Sequence, residues 1–367
     1  MHVTNKSGDQ TVDMKANTPA IVLALLACVC VLGFSSAVKK DGVPTYTINL
    51  DLDPSLRWKE VISDYKWEIP ELYKILKTFV PAEFLPVVDL LGNSLDTYIP
   101  QPYADELRGI ALGAAMPLGD VALLNILYDV TAFCTSIVVE DEKGVIYHGR
   151  NLDYHFTDIL RNITLVAHFQ RGGKTVYTST TYAGYVGVLT GQKPYGFSVS
   201  VDERDQGAWW ENLLEAILDH NASFISFLVR DTLEEAGDFE SAVKTLAYTP
   251  LIAPVYFIIG GVGPREGAVI TRDRVVALNV WHLDAENGRW FLVETNYDHW
   301  TTPPTHDDRR DPAIKSLEAL GRKNFTSQGL FGVLSTPPVL NDGTIYTTIM
   351  SASQPDLYMT WIRYNKK

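Results

Sequence analysis

Between Trp58 and Phe79 apolar residues recur three and four positions apart, at Trp58, Val61, Ile62 and Tyr65 and again at Leu72, Ile75, Leu76 and Phe79. That spacing predicts amphipathic helix. A short extended stretch, Pro44 to Leu52, precedes it. Pro81 and Pro86 interrupt the pattern and Leu85 to Leu91 resumes it. Ala104 to Ala115 and Asp120 to Tyr128 predict two more helices, parted by Met116-Pro117, with Asp120 as an N-cap.

At Phe133-Cys134 the pattern changes. Thr135 to Glu140 and Val145 to His148 are β-type runs around the turn residues Asp141 to Gly144, and Leu165 to Phe169 with Thr175 to Thr180 flank Arg171-Gly172-Gly173 as a second hairpin. Phe197 to Val201 predicts a further strand. Helices are expected at Trp210 to Leu218, Phe224 to Leu233 and Phe239 to Leu246, the last capped by Asp238. Strands follow at Val255 to Ile259, Ala268 to Arg272 and Trp290 to Glu294, then helices at Pro312 to Leu320 and Leu330 to Leu334, and a closing hairpin of Thr344 to Ser351 with Tyr358 to Arg363. Hairpins with helices grouped between them argue for an α+β layered domain and against a βαβ nucleotide fold. Gly260-Gly261-Val262-Gly263 lacks the ending of a phosphate loop and reads as a turn.

The chain has 367 residues, 46% of them hydrophobic, enough for a large core. Its formal net charge of -13 repels phosphate backbones and argues against a nucleic-acid partner. Lys15, the apolar run Ile21 to Phe34 and the small residues Ser35-Ser36-Ala37 read as a signal peptide over residues 1–37; a membrane anchor is the alternative. Asn162, Asn221 and Asn324 stand in glycosylation sequons. Cys28 and Cys30 fall in the apolar run, so Cys134 is the one cysteine left after its removal. An unpaired secreted cysteine is a buried small hydrophobe, an intermolecular bridge or a working thiol. The histidines show no metal-ligand spacing, and neither metal nor cofactor is expected.

A working thiol needs a base and an oxyanion site. If Cys134 opens one strand and Arg150 to Asp153 close its antiparallel partner, they meet at one sheet edge, where Arg150 and Asp153 read as an ion pair or as positioning groups. No histidine presents itself as base. The α-amine freed by a break before Cys134, with a reference pKa of about 7.7 to 8.0, offers one.

The runs Phe133-Cys134-Thr135-Ser136-Ile137-Val138 and Tyr147-His148-Gly149-Arg150-Asn151-Leu152-Asp153 resemble the N-terminal nucleophile hydrolases of the choloylglycine hydrolase superfamily, in its acid amidase and acid ceramidase branch. So do Gly184 to Gly187, Val201 to Arg204, Glu294 to Trp300, Asp307 to Arg310 and Ile345 to Thr348. The resemblance implies a four-layer αββα sandwich and a self-inflicted cut between Phe133 and Cys134. The products would be a helix-rich α-subunit, residues 38–133, and a catalytic β-subunit, residues 134–367, held together by packing alone since no cysteine is left to tie them. It implies Cys134 as nucleophile, Arg150 and Asp153 as its positioning groups, Asn296 as oxyanion donor, and Glu203 and Arg309 as further polar site residues.

It also implies lysosomal hydrolysis of fatty acid N-acylethanolamines, with N-acylsphingosine as the alternative substrate. Tyr185, Val188, Leu189, Trp209 and Trp210 are candidate acyl-channel residues, with core packing as the other reading. The apolar helices Ile75 to Val80 and Leu85 to Leu91 suggest peripheral contact with a membrane or micelle.

Overall fold

Two β-sheets lie face to face in the computed structural model, which describes residues 42–78, 88, 90, 92–127, 133–154, 157–204 and 222–364. The expected signal peptide, the helix at Leu85 to Leu91 except residues 88 and 90, the helix at Trp210 to Leu218, and Trp209, Trp210 and Asn221 lie outside the described residues. The unit running from Val43 onward carries the architecture.

Strands β1 (Thr45–Asn49), β4 (Thr164–Arg171), β5 (Lys174–Tyr182), β6 (Thr190–Lys193), β7 (Phe197–Glu203), β8 (Val255–Gly260), β9 (Gly267–Arg272) and β10 (Ala277–His282) form the larger sheet in that order. The smaller sheet runs β11 (Phe291–Glu294), β2 (Phe133–Glu140), β3 (Ile146–Asp153), β12 (Thr344–Met350) and β13 (Tyr358–Ile362). Helices Ile225–Glu235 and Phe239–Tyr248 cover the larger sheet, and Arg310–Leu320 and Ser327–Val333 cover the smaller one. The layers are therefore helix, sheet, sheet, helix, the expected αββα sandwich.

Strand periodicity explains the layering. On β2, Ile137 and Val139 point outward to Leu317, Leu330 and Leu334, while Val138 between them points inward to Ile258, Val269 and Leu283. Because both faces are covered, β2 is buried from Cys134 to Glu140. The β2–β3 turn closes on the Asp141 carboxylate, which accepts from Lys143 N at 2.8 Å and Val145 N at 2.9 Å. Asp238 caps its helix as expected, in a reciprocal capping box with Ser241. Asp120 does not cap: it sits inside the first turn of Leu118–Leu127 and accepts from Tyr73 Oη at 2.6 Å.

The segment ahead of Phe133 is bound to the rest by more than packing, which corrects the sequence reading. Strand β1 adds to β4 in parallel, Thr45 opposite Val166 through Asn49 opposite Gln170. The buried Glu106 carboxylate accepts from both Arg230 guanidinium nitrogens at 2.7 Å and from Trp58 Nε1 at 2.7 Å and Arg57 Nη1 at 2.9 Å. Asn125 clasps the other side, donating to Gly184 O at 2.9 Å and accepting from Val186 N at 2.8 Å. Tyr103 stacks on Phe227 at 4.1 Å and donates to Asp231.

Removing one partner of a buried, hydrogen-bonded ion pair costs about 3 to 5 kcal/mol, because the other charge is stranded. Glu106→Gln is accordingly expected to lower unfolding stability by about 3 kcal/mol or more, read from the denaturant midpoint of the uncut chain. A loss under about 1 kcal/mol would mean that Arg230 finds compensation elsewhere.

Candidate active site

The β2–β3 register builds the site. Phe133 lies opposite Asp153, Cys134 opposite Leu152 and Ser136 opposite Arg150, so the first residues of β2 meet the last of β3 at one edge, as the hairpin argument required. Cys134 is fully buried, whereas Phe133, across the bond expected to be cut, is 36% exposed.

Arg150 reaches the sulfur. Its Nη2 donates to Cys134 Sγ at 2.7 Å and to Val201 O at 2.9 Å, while Nη1 donates to Leu189 O at 2.6 Å and to Thr190 Oγ1. Two backbone carbonyls, one on β7 and one just ahead of β6, thus fix a fully buried guanidinium against the thiol. Burial pushes the thiol up to about 12, an effect that Arg150 opposes and the Asp202 and Asp153 charges reinforce. In the uncut chain the sulfur is a protonated thiol held beside a permanent cation.

Asp153 pairs with Arg309 and not with Arg150. Its Oδ2 lies 3.4 Å from Arg309 Nη1 and accepts from Asn341 Nδ2 at 2.8 Å. Arg309 also donates to Cys134 O at 2.6 Å and to Asn296 Oδ1 at 2.8 Å, and Asp307 holds its fork at 2.7 and 2.8 Å. Asn296 turns its oxygen, not its amide nitrogen, toward the nucleophile: Oδ1 accepts from Cys134 N at 2.9 Å, and Nδ2 donates to Glu203 O at 2.8 Å. In the uncut chain the proposed oxyanion donor is therefore engaged, and Glu203 enters the cluster through its carbonyl.

Tyr185, Val188 and Leu189 are buried in the main core, at 1%, 0% and 5% exposure. Leu189 touches the site through its carbonyl. Asn162 and Asn324 are exposed. Among the described residues no group of three or more His, Cys, Asp or Glu side chains is placed to hold a metal ion.

Sequence reasoning did not single out Asp202. Its Oδ1 accepts from Ser136 Oγ at 2.7 Å, and it is fully buried. The signal was present: Ser198, Ser200 and Asp202 alternate along β7 and face the smaller sheet, whereas Glu203 falls on the opposite parity. Asp307 and Asn341, which steady Arg309 and Asp153, were equally unassigned.

Residues 134–337 match the family model described as linear amide C–N hydrolases, choloylglycine hydrolase family. Residues 41–99 match one described as the beta subunit of N-acylethanolamine-hydrolyzing acid amidase, so the helix-rich segment takes there the letter opposite to the one expected. N-acylethanolamine-hydrolyzing acid amidase of Rattus norvegicus is 48% identical over 323 residues, which span 87% of this chain and 89% of that protein. The chain belongs to this acid amidase family.

Acid ceramidase of Homo sapiens is more distant, 40% identical over 354 residues that cover 90% of this chain and 88% of that one. A solved structure of a Caenorhabditis elegans N-acylethanolamine-hydrolyzing acid amidase ortholog superposes with a TM-score of 0.59 at 43% identity, covering 63% of this chain and 100% of that one. Membership makes this an amide C–N hydrolase of the N-terminal nucleophile type, and it gives the cluster around Cys134 its chemical context.

Proposed function

We propose that this acid amidase hydrolyses fatty acid N-acylethanolamines to fatty acid and ethanolamine in the lysosome, after cutting its own chain between Phe133 and Cys134. The observation that carries the reading is the guanidinium of Arg150 seated on the sulfur of a cysteine whose own amide N–H is held by Asn296. The substrate class follows the relatives, whose names state it.

In maturation the Cys134 sulfur attacks the Phe133 carbonyl carbon. A C–S bond forms, the peptide C–N bond breaks, and the thiol proton ends on the departing Cys134 nitrogen. Water then opens the thioester, leaving a carboxylate at Phe133 and a free thiol and amine on Cys134. The Arg309 contact to Cys134 O keeps the strand that bears the nucleophile still during this exchange.

In turnover the same sulfur attacks the acyl carbonyl, the α-ammonium protonates the leaving ethanolamine, and water releases the acid. Arg150 balances charge growing on sulfur, and Asn296, through the N–H of Nδ2 not given to Glu203 O, is the oxyanion donor of the cut enzyme. Residues 38–133 and 134–367 then form one heterodimer. Trp67 and Leu112, at 74% and 86% exposure, offer apolar contact to a membrane or micelle, and a charge of -13 disfavours nucleic acid.

Three carboxyls, on Asp153, Asp202 and Glu294, are buried in this region, and burial raises each of them. Burial disfavours the charged form of each, so acid favours the assembled site. Secreted precursor purified near neutrality and shifted to about pH 4.5 with protease inhibitors should yield a chain beginning at Cys134 at a rate independent of protein concentration. Cutting in proportion to concentration, or equally fast at neutral pH, would assign the cut to an outside agent. The same enzyme, compared on N-acylethanolamine and ceramide in one detergent, should prefer the former; the reverse preference would place it with the acid ceramidases.

A further inference from the structure

Between the two sheets a row of buried polar groups leads away from the nucleophile. His148 Nδ1 and Nε2 lie 3.0 and 2.9 Å from Ser198 Oγ and Ser200 Oγ. Ser200 Oγ donates to Ser136 Oγ at 2.8 Å, and Ser136 Oγ donates to Asp202 Oδ1 at 2.7 Å. The second carboxyl oxygen, Oδ2, is buried with no hydrogen-bond partner. A buried carboxylate with an unanswered oxygen is costly as an anion, and the cost falls on protonation. Nothing in the reaction described above uses this group.

The charged and titratable groups around it come from every neighbouring element. Strand β2 supplies Cys134, β3 supplies Arg150, Asp153 and, through the serines, His148, β11 supplies Glu294, β12 supplies Tyr346, and Arg309 enters from the segment ahead of its helix. Burial and Arg150 push His148 down to about 3, so it stays neutral through the range in which a lysosomal enzyme works. Arg150 and Arg309 are permanent cations. The carboxyls, and in the cut enzyme the Cys134 α-amine, are thus the groups able to change charge here.

Resting on the function proposed above, we infer that Asp202 is the acid-sensing positioning residue of the nucleophile site, its buried carboxyl setting how much of the Arg150 charge is available to the Cys134 sulfur. As an anion, Asp202 draws on Arg150 and opposes negative charge on the thiol. Once protonated it is neutral, and the unanswered oxygen carries the proton. Arg150 then serves the sulfur alone, so acid strengthens a nucleophile whose own thiol is less ionised in acid. Asp202 is pushed up to about 7, chiefly by burial. The switch therefore falls between lysosomal and neutral pH: protonated and active below, ionised and inhibited above.

The test is the shape of the pH profile in mature enzyme. Turnover of an N-acylethanolamine is measured from about pH 4.5 to about pH 8 for wild type and Asp202→Asn, each scaled to its own maximum. The asparagine cannot ionise, so its alkaline limb should extend upward, and the ratio of turnover at about pH 8 to that at about pH 5 should rise about tenfold, the loss expected one unit above a switch near 7. Superimposable profiles would overturn the proposal. If Asp202→Asn does not mature, the rate of Cys134 alkylation by iodoacetamide in cut wild-type enzyme decides instead. An inflection near pH 7 that moves in Asp202→Glu supports the switch, and one that stays where the α-amine titrates, or none at all, overturns it. Failure of the amidase reading is distinguishable, since wild type would then release no ethanolamine at any pH.

Discussion

Replacing Cys134 with alanine is expected to give a folded, full-length chain that neither cuts itself nor releases ethanolamine. One sulfur serves both reactions, and no other cysteine follows the expected signal peptide. The substitution removes a single buried atom, and Arg150 keeps its carbonyl partners at Leu189 and Val201, so the fold should lose no more than about 1 to 2 kcal/mol. Gel electrophoresis and N-terminal sequencing after acid treatment read the first loss, and ethanolamine release reads the second. A fragment beginning at residue 134, or turnover within a tenth of wild type, would remove Cys134 from the role. Circular dichroism and elution volume like those of wild-type precursor exclude misfolding as the cause. Cys134→Ser adds a graded outcome: its hydroxyl is a poorer nucleophile in acid, so any cutting should be far slower than with sulfur.

The second large effect is expected at Arg150. Glutamine there keeps a hydrogen-bond donor but deletes the charge, and a glutamine amide cannot reach the sulfur, Leu189 O, Val201 O and Thr190 Oγ1 together. Charge-assisted donors aimed at developing anions contribute about 100-fold to 1,000-fold in rate. Arg150→Gln should therefore slow both the cut and turnover by at least about 100-fold, measured as the rate of appearance of the Cys134 chain and as kcat/KM on matured protein. The substitution also leaves Asp202 and the sulfur without their nearest compensating cation, which raises both groups, so the profile of the remaining activity should shift toward higher pH. A variant that matures and turns over within threefold of wild type would show that Arg150 is structural.

Much of this was legible in the chain. Strands with apolar alternation, such as Phe197 to Val201, and helices with caps, such as Phe239 to Leu246, stand close to where their residues place them. The hairpin argument correctly brought Arg150 and Asp153 to Cys134. What escaped was polar strand. The β-type run stops at His148, and only the hairpin argument carries the strand through Gly149 to Asp153, where β3 ends with its charges buried in the sheet interface. Strand β10, largely exposed, carries no alternation to find it by, and β6 spans only four residues. The pairing of Asp153 with Arg309 joins positions far apart in sequence, which no local pattern encodes.

The clasp across the cut has a genetic consequence. Strand β1 is woven into the larger sheet and Glu106 is locked onto Arg230, so the two pieces of one molecule part only when the core opens. Mature molecules should not trade pieces. Two defective alleles, one damaged before Phe133 and one damaged after it, would each make a dead enzyme and could not rescue one another by exchange in the lysosome. Inheritance of such pairs would follow the rules of a single uncut polypeptide, although the working enzyme proposed above is made of two.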